Sequence, residues 1–192
     1  MKVLGVTGGM GSGKTTVCRI FKTLGVPVFS SDEISKSILF SDEIQKEIIG
    51  LFGVRVQKNN RLDKNKLSKI IFSEAGAIKK INNFLHPKVG EAFDFWKSQQ
   101  KSKLVIKEAA ILFESGAYKS CDYVINVFCN EQERIRRVML RDNRSEAEIK
   151  SILSNQLSDD ERIYRSDITI NNDCKKLLPQ VLNLYQDLVS RF

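Results

Sequence analysis

The residues with the most definite chemistry are Gly8-Gly9-Met10-Gly11-Ser12-Gly13-Lys14-Thr15, which fit the pattern G-x-x-x-x-G-K-[ST]. In such a loop, backbone N–H groups cradle phosphates, the lysine reaches the outer phosphates and the hydroxyl faces a magnesium ion. The flanking residues fit the same chemistry. Val3-Leu4-Gly5-Val6 reads as a buried strand, and Val17, Ile20, Phe21 and Leu24 recur at helical spacing after the loop. A strand, a glycine-rich turn and a helix start aim N–H groups and the positive end of a helix dipole at one point. Gly9, Gly11, Ser12, Gly13, Lys14, Thr15 and Thr16 are therefore the candidate nucleotide contacts, with Thr15 the candidate magnesium ligand.

Outside the loop, Asp32 directly follows a second strand, Val26-Pro27-Val28-Phe29. A carboxylate there has two readings, a helix cap or a group that takes a proton or holds magnesium. Five arginines fall between Arg134 and Arg144. Arg137 and Arg141 share a helix face and suit a phosphate clamp, whereas Arg134, Arg136 and Arg144 read as a solvated face. His86 is the only histidine. Phosphoryl transfer depends on positioning more than on strong acid–base chemistry, so a helix-opening or substrate-contacting role suits it better than that of general base.

These groups need a scaffold. Leu104-Val105-Ile106, Tyr123 to Phe128 and Ile168-Thr169-Ile170 read as further strands, with a basic helix from Glu131 to about Asp142 and a terminal helix from Pro179. Alternating strands and helices behind a phosphate loop predict an α/β fold, with a parallel sheet wrapped by helices. Ligands collect beyond the carboxyl ends of such strands, where Asp32, Glu108 and Asn171 fall. Two stretches exceed ordinary crossovers: a helical insertion over about 33–100 and a basic segment over about 131–165. Within the insertion, Asp63 caps a helix and Pro87 opens another, with Val89, Phe93 and Trp96 along one face.

The chain of 192 residues makes one domain, spanning 1–192, with 42% hydrophobic and 28% charged residues. A net charge of +8 points to anionic partners. Cys18, Cys121, Cys129 and Cys174 form no C-x-x-C pair, so reduced thiols and a cytoplasmic location are expected. No run is long enough for a membrane span, and no N-K-x-D guanine motif is present.

The ordered set resembles the dephospho-CoA kinase family over nearly the whole chain. Leu4 to Val17 is similar to that family's opening, His86-Pro87 to its His-Pro pair and Leu112-Phe113-Glu114 to its Leu-Phe-Glu signature. Gln132, Arg137, Arg141 and Asp142 resemble its lid, and Gln156, Asp167, Ile170 and Asn171 its closing stretch. The resemblance implies a P-loop nucleoside triphosphate hydrolase fold of the nucleotide-kinase kind, with a helical substrate-binding insertion and a lid over 131–165. It implies transfer of the ATP γ-phosphate to the 3′-hydroxyl of dephospho-CoA. Asp32 would be the base, with Lys14, Arg137 and Arg141 stabilising the moving group. Asp32, His86, Leu112, Phe113 and Glu114 would meet the acceptor. Thr15 would bind Mg2+, with Asp32 or Glu108 acting through water, and Asn171 or Asn172 would lie near the adenine. The family often has Asp where this chain has Ser30, Asp where it has Glu108, and an arginine near Ile152.

Two rivals share these observations. Another small-molecule kinase, of the nucleoside monophosphate kind, would differ in its acceptor. A nucleic-acid-stimulated ATPase would need a continuous basic stripe, whereas here the arginines cluster beside the phosphate loop. Dephospho-CoA as partner, without nucleic acid or membrane, is the expectation, on a monomer or small homo-oligomer.

Overall fold

The computed structural model describes residues 1–173 and 175–191, with the backbone alone at Phe72. Cys174, one of the four expected thiols, lies outside the described residues. The chain divides into two compact units, Met1–Ser30 with Trp96–Phe192, and Ser31–Phe95.

The first unit is built on a five-stranded sheet. Its strands are β1 (Lys2–Thr7), β2 (Val28–Ser30), β5 (Leu104–Glu108), β6 (Tyr123–Phe128) and β7 (Ile168–Asn171), in the order β2-β5-β1-β6-β7. Every pairing is parallel. Val3 to Thr7 of β1 are buried without a break, as expected for a central parallel strand covered on both faces. From β1 the chain crosses to one edge at β2, and later continues to the other edge at β7. The turn after β1 thus lies where strand order reverses, and its register places Val6 beside Glu108 on one flank and Ile125 on the other.

Helix α1 (Lys14–Thr23) covers the sheet with Val17, Cys18 and Phe21 turned inward. The terminal helix α9 (Leu177–Arg191) adds Val181, Leu184 and Leu188 to the same core, and Tyr185 meets Phe21 edge-on with centroids 6.4 Å apart. Pro179 sits inside the first turn of α9, where no N–H is required. Three helices follow β6: α6 (Glu131–Asp142), α7 (Glu146–Leu153) and α8 (Asp159–Arg165). A capping box at Ser145 and Glu148 starts α7, and the Ser158 hydroxyl accepts the Glu161 N–H at the start of α8.

The second unit holds α2 (Ser31–Leu39), α3 (Asp42–Phe52), the hairpin β3 (Gln57–Lys58) and β4 (Arg61–Leu62), and α4 (Lys64–Ser73). Its last helix, α5 (Ala77–Ser98), runs across the boundary between the units. Its core is aliphatic, around Ile44, Ile48, Val56, Leu67, Ile81 and Leu85. Asp63 caps α4 by accepting the Lys66 N–H at 2.9 Å, as expected. Pro87 is a correction: it opens no helix, and α5 runs straight through it. Ile81, Leu85, Val89 and Phe93 hold one buried stripe on both sides of the proline, and that packing outweighs the lost helix hydrogen bond. Trp96 packs against Phe29 at 5.5 Å within the first unit, as part of the core. Among the described residues, no helix is long and apolar enough to cross a membrane.

Phe21 is fully buried between α9 and the sheet. Phe21→Ala should lower unfolding stability by about 3–5 kcal/mol. Urea denaturation checks this: the midpoint should fall at unchanged slope, and an unmoved midpoint would contradict the packing.

Candidate active site

The site grows from the turn between β1 and α1. Gly13 takes the left-handed region (φ 101°) and forms the N-cap of α1. A Cβ there would overlap the amide of Asn172, so close approach demands glycine twice over. Lys14 is buried, and its ammonium donates to the carbonyls of Gly8 at 2.9 Å and Gly9 at 3.3 Å. Thr15 and Thr16 stand exposed on the first turn of α1. The Ser12 hydroxyl is buried with no partner inside the loop. A cradle closed to any side chain, a lysine at its rim and an exposed hydroxyl together fit a polyphosphate and its magnesium ion.

Neighbouring elements brace the loop from outside. Asn172, just past β7, donates from Nδ2 to the Ser12 carbonyl at 2.7 Å. Arg137 of α6 donates to the Asn172 carbonyl at 3.1 Å and to Glu133 at 2.8 Å. Gln156 accepts the Met10 N–H at 3.0 Å. Glu114 accepts the Leu157 N–H at 2.8 Å, tying the segment after β5 to the start of α8. Glu108 is buried at the end of β5 and accepts the Ser30 hydroxyl at 2.9 Å across paired strands. Its charge and that of Lys14 both reach Cys18 under the loop, whose thiol is pushed far up, chiefly by burial. Burial likewise pushes the Cys121 thiol up to about 11. These are inert thiols, and Cys18, Cys121 and Cys129 are all free.

Several expectations need correction. Arg134 is no solvated residue: it is 2% exposed and packs over Gly9, beside the equally buried Arg162. Arg136 does lie on the surface, paired with Glu133. Arg141 is exposed and bound to Asp142, away from the loop contacts that Arg137 makes. Leu112 and Phe113 are buried among core residues, with Leu112 filling the space beside Gly5, so their side chains support the segment and do not line an open pocket. The Asn171 side chain accepts the Asp173 N–H, and Asn172 makes the loop contact. Asp32 stands in the first turn of α2, two residues after Ser30. His86 lies within α5, where burial lowers its pKa and favours the neutral imidazole near neutral pH.

A five-stranded parallel sheet and a loop of this construction, with cations gathered around it, define a P-loop kinase. The chain belongs to the dephospho-CoA kinase family, whose model, described as "Dephospho-CoA kinase", matches residues 2–177. A dephospho-CoA kinase of Bacteroides fragilis is 37% identical over 184 residues, covering 94% of this chain and 90% of that one. Among solved structures, a Thermus thermophilus protein superposes with a TM-score of 0.87 at 26% identity, covering 100% of this chain and 97% of its own. The dephospho-CoA kinase of Campylobacter jejuni gives 0.68 at 28% identity, covering 98% of both chains.

The Arg137 clamp has a pH signature. Hydrogen bonds from Arg136 first and Arg137 second hold the Glu133 carboxyl down at about 2. A depressed folded-state pKa means the contact is intact above the ordinary carboxylate range and is lost as pH falls through about 2. An NMR titration should find Glu133 ionised to that pH, and Arg136→Ala should move its midpoint upward. A wild-type midpoint near 4.5 would contradict the clamp.

Proposed function

We infer that this protein transfers the γ-phosphate of ATP to the 3′-hydroxyl of dephospho-CoA, giving coenzyme A and ADP in the last step of coenzyme A synthesis. The observation that carries this reading is the family match over residues 2–177, on a chain whose phosphate loop is fully built.

The loop N–H groups and the start of α1 hold the inner phosphates, and Lys14 leaves the Gly8 and Gly9 carbonyls to follow charge onto the terminal phosphate. Thr15 would hold the magnesium ion, with Asp32 or Glu108 acting through water. When bound, the ion would supply positive charge beside the phosphate oxygens. Among the described residues no cluster of three acidic, histidine or cysteine side chains is built to hold a metal. Magnesium in such a site would be held by the loop hydroxyl and an acidic side chain, with phosphate oxygens and water completing its shell.

Asp32 accepts the proton as the 3′-oxygen bonds to phosphorus and the bond to the bridging oxygen of ADP breaks. Arg137, already beside the loop, stabilises charge on the moving group. Arg141 joins it by exchanging Asp142 for phosphate when the lid over 131–165 closes, which also keeps water from competing as acceptor. The helical segment over 33–100, with neutral His86, receives the acceptor, and Glu114 fixes the segment after β5 through Leu157. Asn171 holds the turn from which Asn172 reaches the loop, beside the expected adenine position. The partner is a small anionic molecule, with no role for nucleic acid or membrane, and free thiols suit the cytoplasm.

The test is magnesium-dependent ADP release with dephospho-CoA, AMP, CMP or water as acceptor, with product mass checked for coenzyme A. ADP and coenzyme A should appear together only with dephospho-CoA. Lys14→Ala and Asp32→Asn should each lower kcat by about 100-fold or more. Turnover of AMP or CMP in its place would leave the fold standing and refute the acceptor, while hydrolysis raised by added RNA would favour a nucleic-acid-stimulated ATPase.

A further inference from the structure

Strand β7 lies at one end of the sheet order, and its last residue, Asn171, leads into the turn that braces the phosphate loop. Along such a strand the backbone groups of successive residues point by turns to the neighbouring strand and to the open side. Asn172 donates its N–H to the Phe128 carbonyl of β6 at 2.8 Å, so the N–H and C=O of Asn171 face the open side. Gln180 of α9 meets both. Its Oε1 accepts the Asn171 N–H at 3.0 Å, and its Nε2 donates to the Asn171 carbonyl at 2.8 Å. One side-chain amide stands where a further strand would pair. Nε2 also donates to the Lys176 carbonyl at 3.0 Å, and the next residue, Val181, is fully buried in the core with Leu184 and Leu188. The amide is therefore carried on a fixed helix.

The turn passes this constraint to the loop. Asn171 Oδ1 accepts the Asp173 N–H at 2.9 Å, which closes the turn around Asn172. Asn172 reaches the Ser12 carbonyl with its amide at 2.7 Å and fills the space where a Cβ on Gly13 would stand. Ser12 and Gly13 directly precede Lys14 and the start of α1, so a displaced Asn172 would release the part of the loop from which the lysine and the first helical N–H groups set out. Donors held in place before a ligand arrives bind it at lower entropic cost. The clamp also explains the residue type. Glutamine accepts and donates from one side chain, whereas methionine, of similar length, does neither and ionised glutamate only accepts.

We propose that Gln180 is a positioning residue for the nucleotide: it fixes the turn that carries Asn172, and Asn172 fixes the phosphate loop, a role that rests on that loop being the nucleotide site. Gln180 acts on the loop through this turn, so its effect vanishes once the Asn172 amide is removed. Nucleotide affinity thereby becomes a property of the terminal helix as well as of the loop.

Calorimetric titration of the full chain with ADP and with a non-hydrolysable ATP analogue, in magnesium, reads the loop without turnover. Gln180→Met and Asn172→Ala should each weaken both nucleotides about fivefold or more. The double variant should bind within about twofold of Asn172→Ala alone, because both changes break one chain of contacts. In steady-state turnover, Gln180→Met should raise KM for ATP and leave KM for dephospho-CoA within about twofold, a split that general loosening of the fold does not produce. Losses that multiply in the double variant, unchanged nucleotide affinity in Gln180→Met, or equal rises in both KM values would overturn the proposal. If Gln180→Met melts early, Gln180→Glu closes the same cycle, since its carboxylate accepts the Asn171 N–H but donates to neither carbonyl. Wild-type protein that binds neither nucleotide would refute the nucleotide-site reading itself, a result distinct from wild-type binding with variants that do not couple.

Discussion

Everything at this site depends on how closely the loop between β1 and α1 is packed from outside. The Val127 carbonyl lies against Gly8, Arg134 against Gly9 and Gly11, and Asn172 against Gly13. No side chain fits at these points, so glycine is required by contact as well as by conformation. The consequence is rigidity. A loop held from behind by a strand end, a helix and the turn after β7 keeps its shape before any phosphate arrives. Donors fixed in advance cost no reorganisation when negative charge develops among them. The sheet order serves the same end, because β1 is central and the chain just past its neighbour β6 supplies a brace, the Cys129 carbonyl, through Arg134.

A loop built to attract polyanions gathers cations, and cations near one another repel. The structure resolves this by giving nearly every one an internal acceptor. Lys14 rests on loop carbonyls, Arg137 on Glu133 and Asn172, Arg141 on Asp142, and Arg134 with Arg162 on Asp159. These acceptors set the cost of recruiting each cation. Arg141 is exposed, so its pair with its chain neighbour is largely screened. Arg134 and Arg162 are buried and share one half-buried carboxylate, so breaking their contacts costs more.

The sequence made the loop, the five parallel strands and α6 legible, because each is a local pattern: an octet of fixed type, short apolar runs, a helical stripe. What it hid was pairing at long range. Arg134 reads with its neighbours as part of a solvated face, yet it shares the inward face of α6 with Ile135 and Val138, a periodicity visible in the sequence. Arg162 and Asp159 gave no comparable signal, since an acidic start and a basic end are ordinary in any short helix. The hairpin of the second unit was missed although Asn59-Asn60, both at positive φ, is the kind of turn that favours asparagine. Leu112 and Phe113 carry the family's signature, and their buried side chains pack the segment that carries Glu114.

The ends of β2 and β5 show how a departure in one strand is absorbed by its neighbour. Ser30 and Glu108 are register partners, so carboxylates at both positions would place two like charges side by side on adjacent strands. In this chain one position is a hydroxyl, and it donates to the carboxylate at the other. The pair thus carries one carboxylate, buried, with one of its oxygens satisfied within the sheet. That leaves Glu108 oriented by Ser30, and the opposing influences of Glu108 and Lys14 on Cys18 place both groups around that thiol. Asp32, the first carboxylate after β2 along the chain, is carried on the first turn of α2, whereas Glu108 is held within the sheet by its neighbour.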